Sequence, residues 1–368
     1  MRTAVSQSFR RVFVDGADLL YEIADELAGA DAIGLDVEMG QRIERLPGGV
    51  TRGKQLLGLI QIAGNGLSAI VDPIRIVDLS PLAPMMRSPT IKVVLGGATD
   101  IQLLEEHGLT VLHVADLAEM AVSVFGHKEE GMRALADRAL GVQIDKSIRR
   151  EDWLRRPINP AMLSYAHRDA ELTLRLYRWF QEHHPRLITA YTRRHFSPAL
   201  SPDMADWIRR FLTKRVDAAR LLKELGIDPE KDAARLVADV ETAMSQDLSP
   251  GQQRRLIRLI GELRLKDLYD RVRPHADSDS SVFRSSAART LGRLGEEKAR
   301  PVIERLLKDD IPDVVVAAHQ GLKDLDAGPD KKPKPKVAPA EKSPDLPVLK
   351  PEAIAALARL RMDLDPAE

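Results

Sequence analysis

The stretch Ala32-Ile33-Gly34-Leu35-Asp36-Val37-Glu38 decides the fold of the N-terminal half, because an apolar, β-branched run ends there on two carboxylates. Such a run predicts a buried strand, in which side chains alternate between the two faces. Asp36 and Glu38 therefore lie on one face. Carboxylates this close repel each other, and a hard divalent cation with oxygen ligands would neutralise the pair. The alternative is two solvated residues at a strand end.

Length and composition limit the class of protein. A chain of 368 residues has room for two or more domains, each with its own core. Basic and acidic residues both number 55, so the net charge is zero and any surface for nucleic acid must be local. The absence of cysteine excludes disulfides and thiolate chemistry. No apolar run reaches the roughly 20 residues of a membrane span, and the N-terminus lacks a signal-peptide core, so we expect a cytoplasmic protein without membrane contact.

The pattern around this strand predicts an α/β domain with a mixed sheet over about residues 1–190. A polar segment at 39–55, which contains Pro47-Gly48-Gly49, predicts a loop beside the carboxylates. The expected strands cover 11–14, 32–38, 56–63, 67–71 and 91–95, and the expected helices cover 17–28, 101–107, 116–125, 131–140 and 160–182.

Two further acidic residues follow in the same half. Asp100 opens a predicted helix, where a carboxylate can cap the helix, face a metal site, or do both. Tyr165 and Asp169 are four residues apart on the long helix, so their side chains share one helix face. The alternative to a site role for Tyr165 is packing in the hydrophobic core, because the rest of this helix is apolar. If the sheet brings these residues to Asp36, they complete a metal site.

The ordered set Asp36-x-Glu38, Asp100 and Tyr165-x-x-x-Asp169 resembles the tyrosine branch of the DEDD superfamily of 3′–5′ exonucleases, and within it the ribonuclease D family. The resemblance covers about residues 8–185. The chain departs from the ribonuclease D pattern at Gly96-Gly97, because ribonuclease D proteins often have a histidine near the second acid. Glycine-rich sequence at this place resembles the Werner-type exonuclease branch of the superfamily. The flanking segments that agree include Leu59-Ile60-Gln61-Ile62 and Asp152-Trp153-Leu154-Arg155-Arg156-Pro157.

The resemblance implies a ribonuclease H-like fold, with a mixed sheet flanked by helices, and two divalent ions, Mg²⁺ or Mn²⁺. Asp36, Glu38 and Asp169 would hold the first ion, and Asp36 would bridge to the second, supported by Asp100. Tyr165 would orient the attacking water. The expected substrate is nucleic acid with a free 3′ end, with RNA favoured over single-stranded DNA, and the expected products are nucleoside 5′-monophosphates. The rival is a catalytically inactive nucleic-acid-binding adaptor with a nuclease-like fold.

Several residues near the motifs carry secondary expectations. The sister branch has a histidine where this chain has Ser164, so we expect His167 to be an exposed helix residue and not a base. Trp153 is expected to pack in the core rather than stack on a base. A group of arginines either contacts phosphates or forms a solvated face with neighbouring acids, and it comprises Arg149, Arg150, Arg155 and Arg156.

The C-terminal half predicts helices only, beginning with a connector at 191–247. Apolar positions then recur every 31 residues, as in Leu256, Ala287 and Ala318, so residues 248–327 resemble HEAT repeats. A generic helical bundle is the alternative. We expect such repeats to bind a protein partner or to position a long substrate. Residues 328–352 are rich in proline and lysine and predict a disordered linker, and 353–368 predict a short helix or tail.

Overall fold

The computed structural model describes residues 8–45, 51–126, 131–144, 151–196, 199–213 and 216–328. The expectations for Pro47-Gly48-Gly49, Arg149, Arg150 and the segments after residue 328 lie outside these ranges. Within them, no helix combines the length and apolar character that crossing a membrane requires.

The N-terminal half contains seven strands and seven α-helices within the described ranges. The strands are β1 (Arg10–Val14), β2 (Ala32–Arg45), β3 (Thr51–Gly64), β4 (Leu67–Val71), β5 (Ile91–Val94), β6 (Leu112–Asp116) and β7 (Thr192–His195). The helices are α1 (Ala17–Ala28), α2 (Ala83–Arg87), α3 (Ala98–Glu106), α4 (Leu117–Phe125), α5 (Met132–Leu140), α6 (Pro160–His183) and α7 (Pro185–Tyr191).

All seven strands form one sheet in the order β1-β4-β3-β2-β5-β6-β7. β2 pairs in parallel with β5 and antiparallel with β3, so the sheet is mixed. The turn between β3 and β4 has positive φ at Asn65 (50°) and Gly66 (74°), the conformation that Asn-Gly favours in tight hairpins. The predicted mixed sheet flanked by helices is confirmed, while β6 and β7 are strands that the sequence pattern did not reveal.

The segment at 39–55 differs from the predicted loop. β2 and β3 continue as paired strands as far as Arg45 and Thr51, so the described part of this segment is a two-stranded ribbon. Its residues 41–43 and 53–55 are exposed on both faces, which removes the apolar alternation by which a strand is recognised. The loop prediction was wrong for this physical reason.

Helix α6 covers one face of the sheet, and helices α1, α2 and α3 pack with the opposite face. The core beneath α6 joins Leu59 and Ile70 of the sheet to Met162 and Ala166 of the helix. Val37, the residue between the two carboxylates, points into the opposite core. The alternation predicted for β2 therefore sends Asp36 and Glu38 toward α6.

The C-terminal half is helical throughout its described residues. Three of its longer helices begin at Pro250, Ser281 and Pro312, each 31 residues after the previous one, which reproduces the predicted period. The helices share one hydrophobic core that runs from Met204 to Ala318. They are α8 (Asp206–Thr213), α9 (Ala218–Glu224), α10 (Ala233–Met244), α11 (Pro250–Glu262), α12 (Tyr269–Val272), α13 (Ser281–Leu294), α14 (Arg300–Leu306) and α15 (Pro312–Asp326).

The two halves are joined by a buried hydrogen-bonded cluster. The Tyr191 hydroxyl lies 2.6 Å from both the Ser123 and the Ser280 hydroxyl oxygens, and those two oxygens are 3.0 Å apart. Ser281, the first residue of α13, also donates to the carbonyl of Val122 at 3.1 Å. The N-terminus of α13 is therefore fixed against α4 and α7 by polar contacts with satisfied partners.

Candidate metal centre

Three of the predicted ligands converge on the α6 face of the sheet. Asp36, Glu38 and Asp169 each offer a carboxylate oxygen, and these atoms lie within 4.8 Å of one another. Asp169 is 8% exposed, and the other two are half-buried. This spacing suits oxygen ligands that share one cation.

Close backbone contact between β2 and α6 brings these residues together. A Cβ atom on residue 34 would lie 2.2 Å from the carbonyl oxygen of Ala170, so only glycine permits the observed distance between strand and helix. Ala170 follows Asp169, and Gly34 lies two residues before Asp36. The glycine in the opening motif therefore sets the separation of the strand and helix carboxylates.

A bulge next to Glu38 provides a second close contact. Glu38 pairs with Leu59 and Met39 pairs with Leu57, so Gly58 is left unpaired in β3. A Cβ on residue 58 would lie 2.9 Å from the carbonyl oxygen of Trp153. The bulge thus lets the segment that contains Trp153 approach the sheet beside the carboxylates.

Burial raises the pKa of the Asp36 carboxyl well above its usual value, and the charges of Asp100, Glu38 and Asp169 raise it further. Burial also raises the pKa of Asp100 to about 6, while a hydrogen bond with Asp36 opposes this rise. Two carboxyl groups form a hydrogen bond only when one of them carries a proton. Without a cation, the four carboxyl groups of the cluster therefore cannot all be ionised at once, and at least one of them binds a proton.

Asp100 reaches the cluster from the first turn of α3. The N-cap of this helix is Gly97, so the alternative role of Asp100 as the cap is wrong. Asp116 supports the turn that precedes α3, because its Oδ1 accepts hydrogen bonds from the backbone N–H of Gly96 (2.8 Å) and of Ala118 (2.9 Å). The sequence revealed Asp116 only as the start of a helix, and its contact with Gly96 spans 20 residues.

Tyr165 lies one turn before Asp169, and its side chain is 6% exposed. Burial raises the pKa of its hydroxyl, and the charge of Asp169 and a hydrogen bond with it add to this rise. The ring packs on Trp153, with ring centroids 6.0 Å apart, and Trp153 is 2% exposed. The packing role predicted for Trp153 is confirmed, and Tyr165 is a protonated hydroxyl next to a carboxylate of the cluster.

Gln61 is a polar neighbour of the cluster that the sequence motifs do not assign to the site. It pairs directly with Asp36 across β2 and β3, so both side chains lie on the α6 face. Its side chain is fully buried, and neither its Oε1 nor its Nε2 has a hydrogen-bond partner. A signal was present in the sequence, since a glutamine within an apolar strand is unusual.

Arg156 differs from both of its predicted roles. Its guanidinium forms a bidentate pair with the fully buried Asp72, at 2.6 and 2.7 Å, and donates to the carbonyl oxygens of Gly58 (2.8 Å) and Trp153 (2.9 Å). These contacts occupy its donors, so it neither faces solvent nor remains available to a phosphate. Arg156 instead fixes the segment at 151–157 to the sheet.

His167 is buried, with 5% of its surface exposed, so the prediction of an exposed residue was wrong. Its Nδ1 lies 2.8 Å from the Ser68 hydroxyl on β4. Burial and the nearby Arg11 lower its pKa to about 4. His167 is thus a neutral residue of the helix–sheet contact, in agreement with the prediction that it is not a base.

The residues of the cluster fit a hard divalent cation. Every side-chain donor is a carboxylate oxygen, the set carries excess negative charge, and the amide of Gln61 next to it has no partner. These are ligands that Mg²⁺ and Mn²⁺ prefer, and no nitrogen or sulfur donor that would favour a softer metal belongs to the group.

An acidic cluster between a mixed sheet and the helix that covers it suits a metal-dependent hydrolase, and comparison with known proteins supports this class. Residues 12–184 match the family model described as "3′-5′ exonuclease". The match confirms the resemblance predicted from the motifs, and exonucleases of this type use divalent metal ions. Residues 237–323 match the model for HEAT repeats, which confirms the predicted repeats.

Curated relatives agree with the domain match. Ribonuclease D of Haemophilus influenzae is 28% identical over 169 residues, which cover 45% of this chain and 40% of that protein. Ribonuclease D of Escherichia coli is 30% identical over 154 residues, which cover 41% and 39%. The chain thus matches about two fifths of the length of these relatives.

Among solved structures, the catalytic core of RRP6 from Trypanosoma brucei aligns with 88% of this chain and 80% of its own. The TM-score is 0.44 and the sequence identity 18%.

Proposed function

We propose that this protein is a metal-dependent 3′–5′ exonuclease that removes nucleoside 5′-monophosphates from the 3′ end of RNA. The observation that carries the proposal is the convergence of Asp36, Glu38 and Asp169 within 4.8 Å inside a 3′–5′ exonuclease domain. The names of the curated relatives favour RNA over DNA.

The proposed ligands are the four acids, with two divalent ions, Mg²⁺ or Mn²⁺, as the cofactor. Asp36, Glu38 and Asp169 would hold one ion, and Asp36 with Asp100 would hold the other. Bound ions supply a water of lowered pKa and stabilise the charge that develops on the phosphate. The carboxylates relieve their mutual repulsion when such ions bind, which favours binding over the metal-free state.

Tyr165 is the proposed positioning group for the attacking water. Because its pKa is raised, its hydroxyl stays protonated at neutral pH and is suited to hydrogen-bonding rather than to accepting a proton. Its hydrogen bond with Asp169 orients the hydroxyl toward the cluster. Arg168 lies over the same ring, with its guanidinium carbon 5.9 Å from the ring centroid.

The experiment that tests this function uses a single-stranded RNA with a 5′ label, incubated with Mg²⁺ or Mn²⁺. We expect a ladder of products that shorten from the 3′ end and release of nucleoside 5′-monophosphates, both stopped by EDTA. An RNA that is bound but keeps every 3′ end intact in either metal would support the inactive adaptor instead.

The helical half receives a separate proposal, supported by the HEAT match at 237–323. We propose that its repeats bind a protein partner. A cytoplasmic location stays a prediction from the sequence.

A further inference from the structure

The β2–β3 ribbon is a surface next to the candidate site that the proposed function does not use. β2 runs without interruption from Asp36 and Glu38 to Arg45, and beyond Gln41 it pairs with β3 in a segment whose sequence is rich in basic residues. Within residues 41–55 the sequence has four basic residues, Arg42, Arg45, Arg52 and Lys54, and one acid, Glu44. The chain as a whole has no net charge, so this concentration is local.

The even-numbered residues of β2 from Gly34 to Gly40 face α6 and the segment next to it. A Cβ on residue 34 would meet Ala170, and one on residue 40 would meet the Leu154 side chain at 2.3 Å. The unpaired residue of the bulge is Gly58 in β3, so the alternation along β2 is not shifted. Arg42 is the next position in this row, on the same face as the carboxylates.

Lys54 is the direct cross-strand partner of Arg42, so two positive side chains lie side by side on this face. Both are exposed, and neither forms an ion pair with another described residue. Like charges in directly opposed positions destabilise a strand pair. An anion bound between them would remove this repulsion.

We propose that the β2–β3 ribbon, through Arg42 and Lys54, holds the phosphate backbone of a single-stranded nucleic acid whose 3′ end lies at the carboxylate cluster. At about 3.3 Å per residue, Arg42 lies roughly 13 Å along the strand from Glu38, so it would contact phosphates upstream of the scissile bond. Because the ribbon continues the strand of the site itself, the substrate's own backbone is the partner that fits. This inference rests on the proposed function and adds a binding surface to it.

The test compares the wild type with the double variant Arg42→Gln/Lys54→Gln. Binding of a fluorescent single-stranded RNA of about 16 nucleotides is measured by anisotropy without divalent metal, over a series of KCl concentrations. Loss of two phosphate contacts lowers the slope of log K against log salt by about 1.4. Between about 50 and 200 mM salt, the wild type should therefore lose roughly sevenfold more affinity than the variant.

A matched control removes one arginine and one lysine elsewhere. Arg87 ends α2 on the opposite face of the sheet, and Lys308 lies in the repeat region; both are exposed. Arg87→Gln/Lys308→Gln should keep the wild-type slope. In cleavage assays, the KM for the same RNA should rise only in the ribbon variant, while the Mn²⁺-induced increase in Tm stays as in the wild type.

The outcomes separate the inference from the proposed function. Since binding is measured without metal, a wild type that binds RNA but does not cleave it would contradict the exonuclease proposal and leave the ribbon testable. An unchanged salt slope and KM in Arg42→Gln/Lys54→Gln would overturn the inference. The inference would also be overturned if the ribbon variant bound RNA as tightly as the wild type and differed from it only in being monomeric where the wild type is a dimer. The ribbon would then be a contact between two copies of the chain.

Discussion

Asp36 and Gln61 are directly opposed on β2 and β3, so a fully buried amide without a hydrogen-bond partner lies next to a carboxylate of the cluster. Burying an amide without partners costs about 1–3 kcal/mol in protein mutational data. The metal-free fold therefore contains two unfavourable features at one place, an unsatisfied amide and repelling carboxylates.

Gln61→Leu should stabilise the metal-free protein, because leucine fills a similar volume without burying polar atoms. We expect the free energy of unfolding in EDTA to rise by about 1–2 kcal/mol, measured by urea denaturation. The control Gln55→Leu changes an exposed glutamine of the same strand and should alter stability by less than about 0.5 kcal/mol. A loss of stability in Gln61→Leu would show that the amide has a partner in solution.

Asp36→Asn removes one negative charge from the cluster. We expect a higher Tm in EDTA, since an uncharged amide at position 36 is not repelled by the carboxylates of Asp100, Glu38 and Asp169. The increase in Tm that Mn²⁺ gives the wild type should disappear, together with 3′ cleavage. Asp203→Asn, at an exposed site of the helical half, is the control that should keep both. A variant that still cleaves would remove Asp36 from the proposed ligands.

Tyr165→Phe removes only the hydroxyl that we propose as the positioning group. We expect the single-turnover cleavage rate to fall by about 10²-fold or more, with the Mn²⁺-induced change in Tm retained. Tyr177→Phe, on the same buried helix but outside the acidic cluster, should cleave at the wild-type rate. Equal rates for both variants would exclude Tyr165 from the mechanism.

His167 makes stability depend on pH with a definite sign. Its pKa is about 4 in the folded protein and 6.5 in its ordinary state, so the unfolded chain binds more protons between these values. The free energy of unfolding therefore falls as pH falls from 6.5 to 4, by up to about 3 kcal/mol from this residue. Urea denaturation at pH 7 and pH 5 should show a smaller loss in His167→Asn than in the wild type. An equal loss would contradict the buried neutral histidine.

Local pattern predicted most of the N-terminal half. Three signals depend only on residues a few positions apart in the sequence, and each predicted the element that is observed. They are the apolar run before Asp36, the Asn65-Gly66 turn and the helical spacing of α6. The shared faces of Asp36 with Glu38 and of Tyr165 with Asp169 were predictable, because alternation in β2 and the four-residue spacing in α6 define faces without knowledge of tertiary contacts.

Features that depend on distant partners were not predictable in this way. The burial of His167 depends on its contact with Ser68, which is 99 residues away in the sequence. The structural role of Arg156 depends on its ion pair with Asp72, which is 84 residues away. The ribbon was missed for another reason, since exposed strands beyond a sheet have no buried face to impose alternation. Helical periodicity did reveal the repeats, because the 31-residue spacing of α11, α13 and α15 repeats along the chain itself.

The most direct test of a metal-dependent enzyme that acts from the 3′ end compares a linear RNA with its circular ligated form. With Mg²⁺ or Mn²⁺, the wild type should degrade the linear RNA to nucleoside 5′-monophosphates and leave the circle intact, and Asp169→Asn should degrade neither. Cleavage of the circle, or an intact linear RNA in both metals, would contradict the assignment.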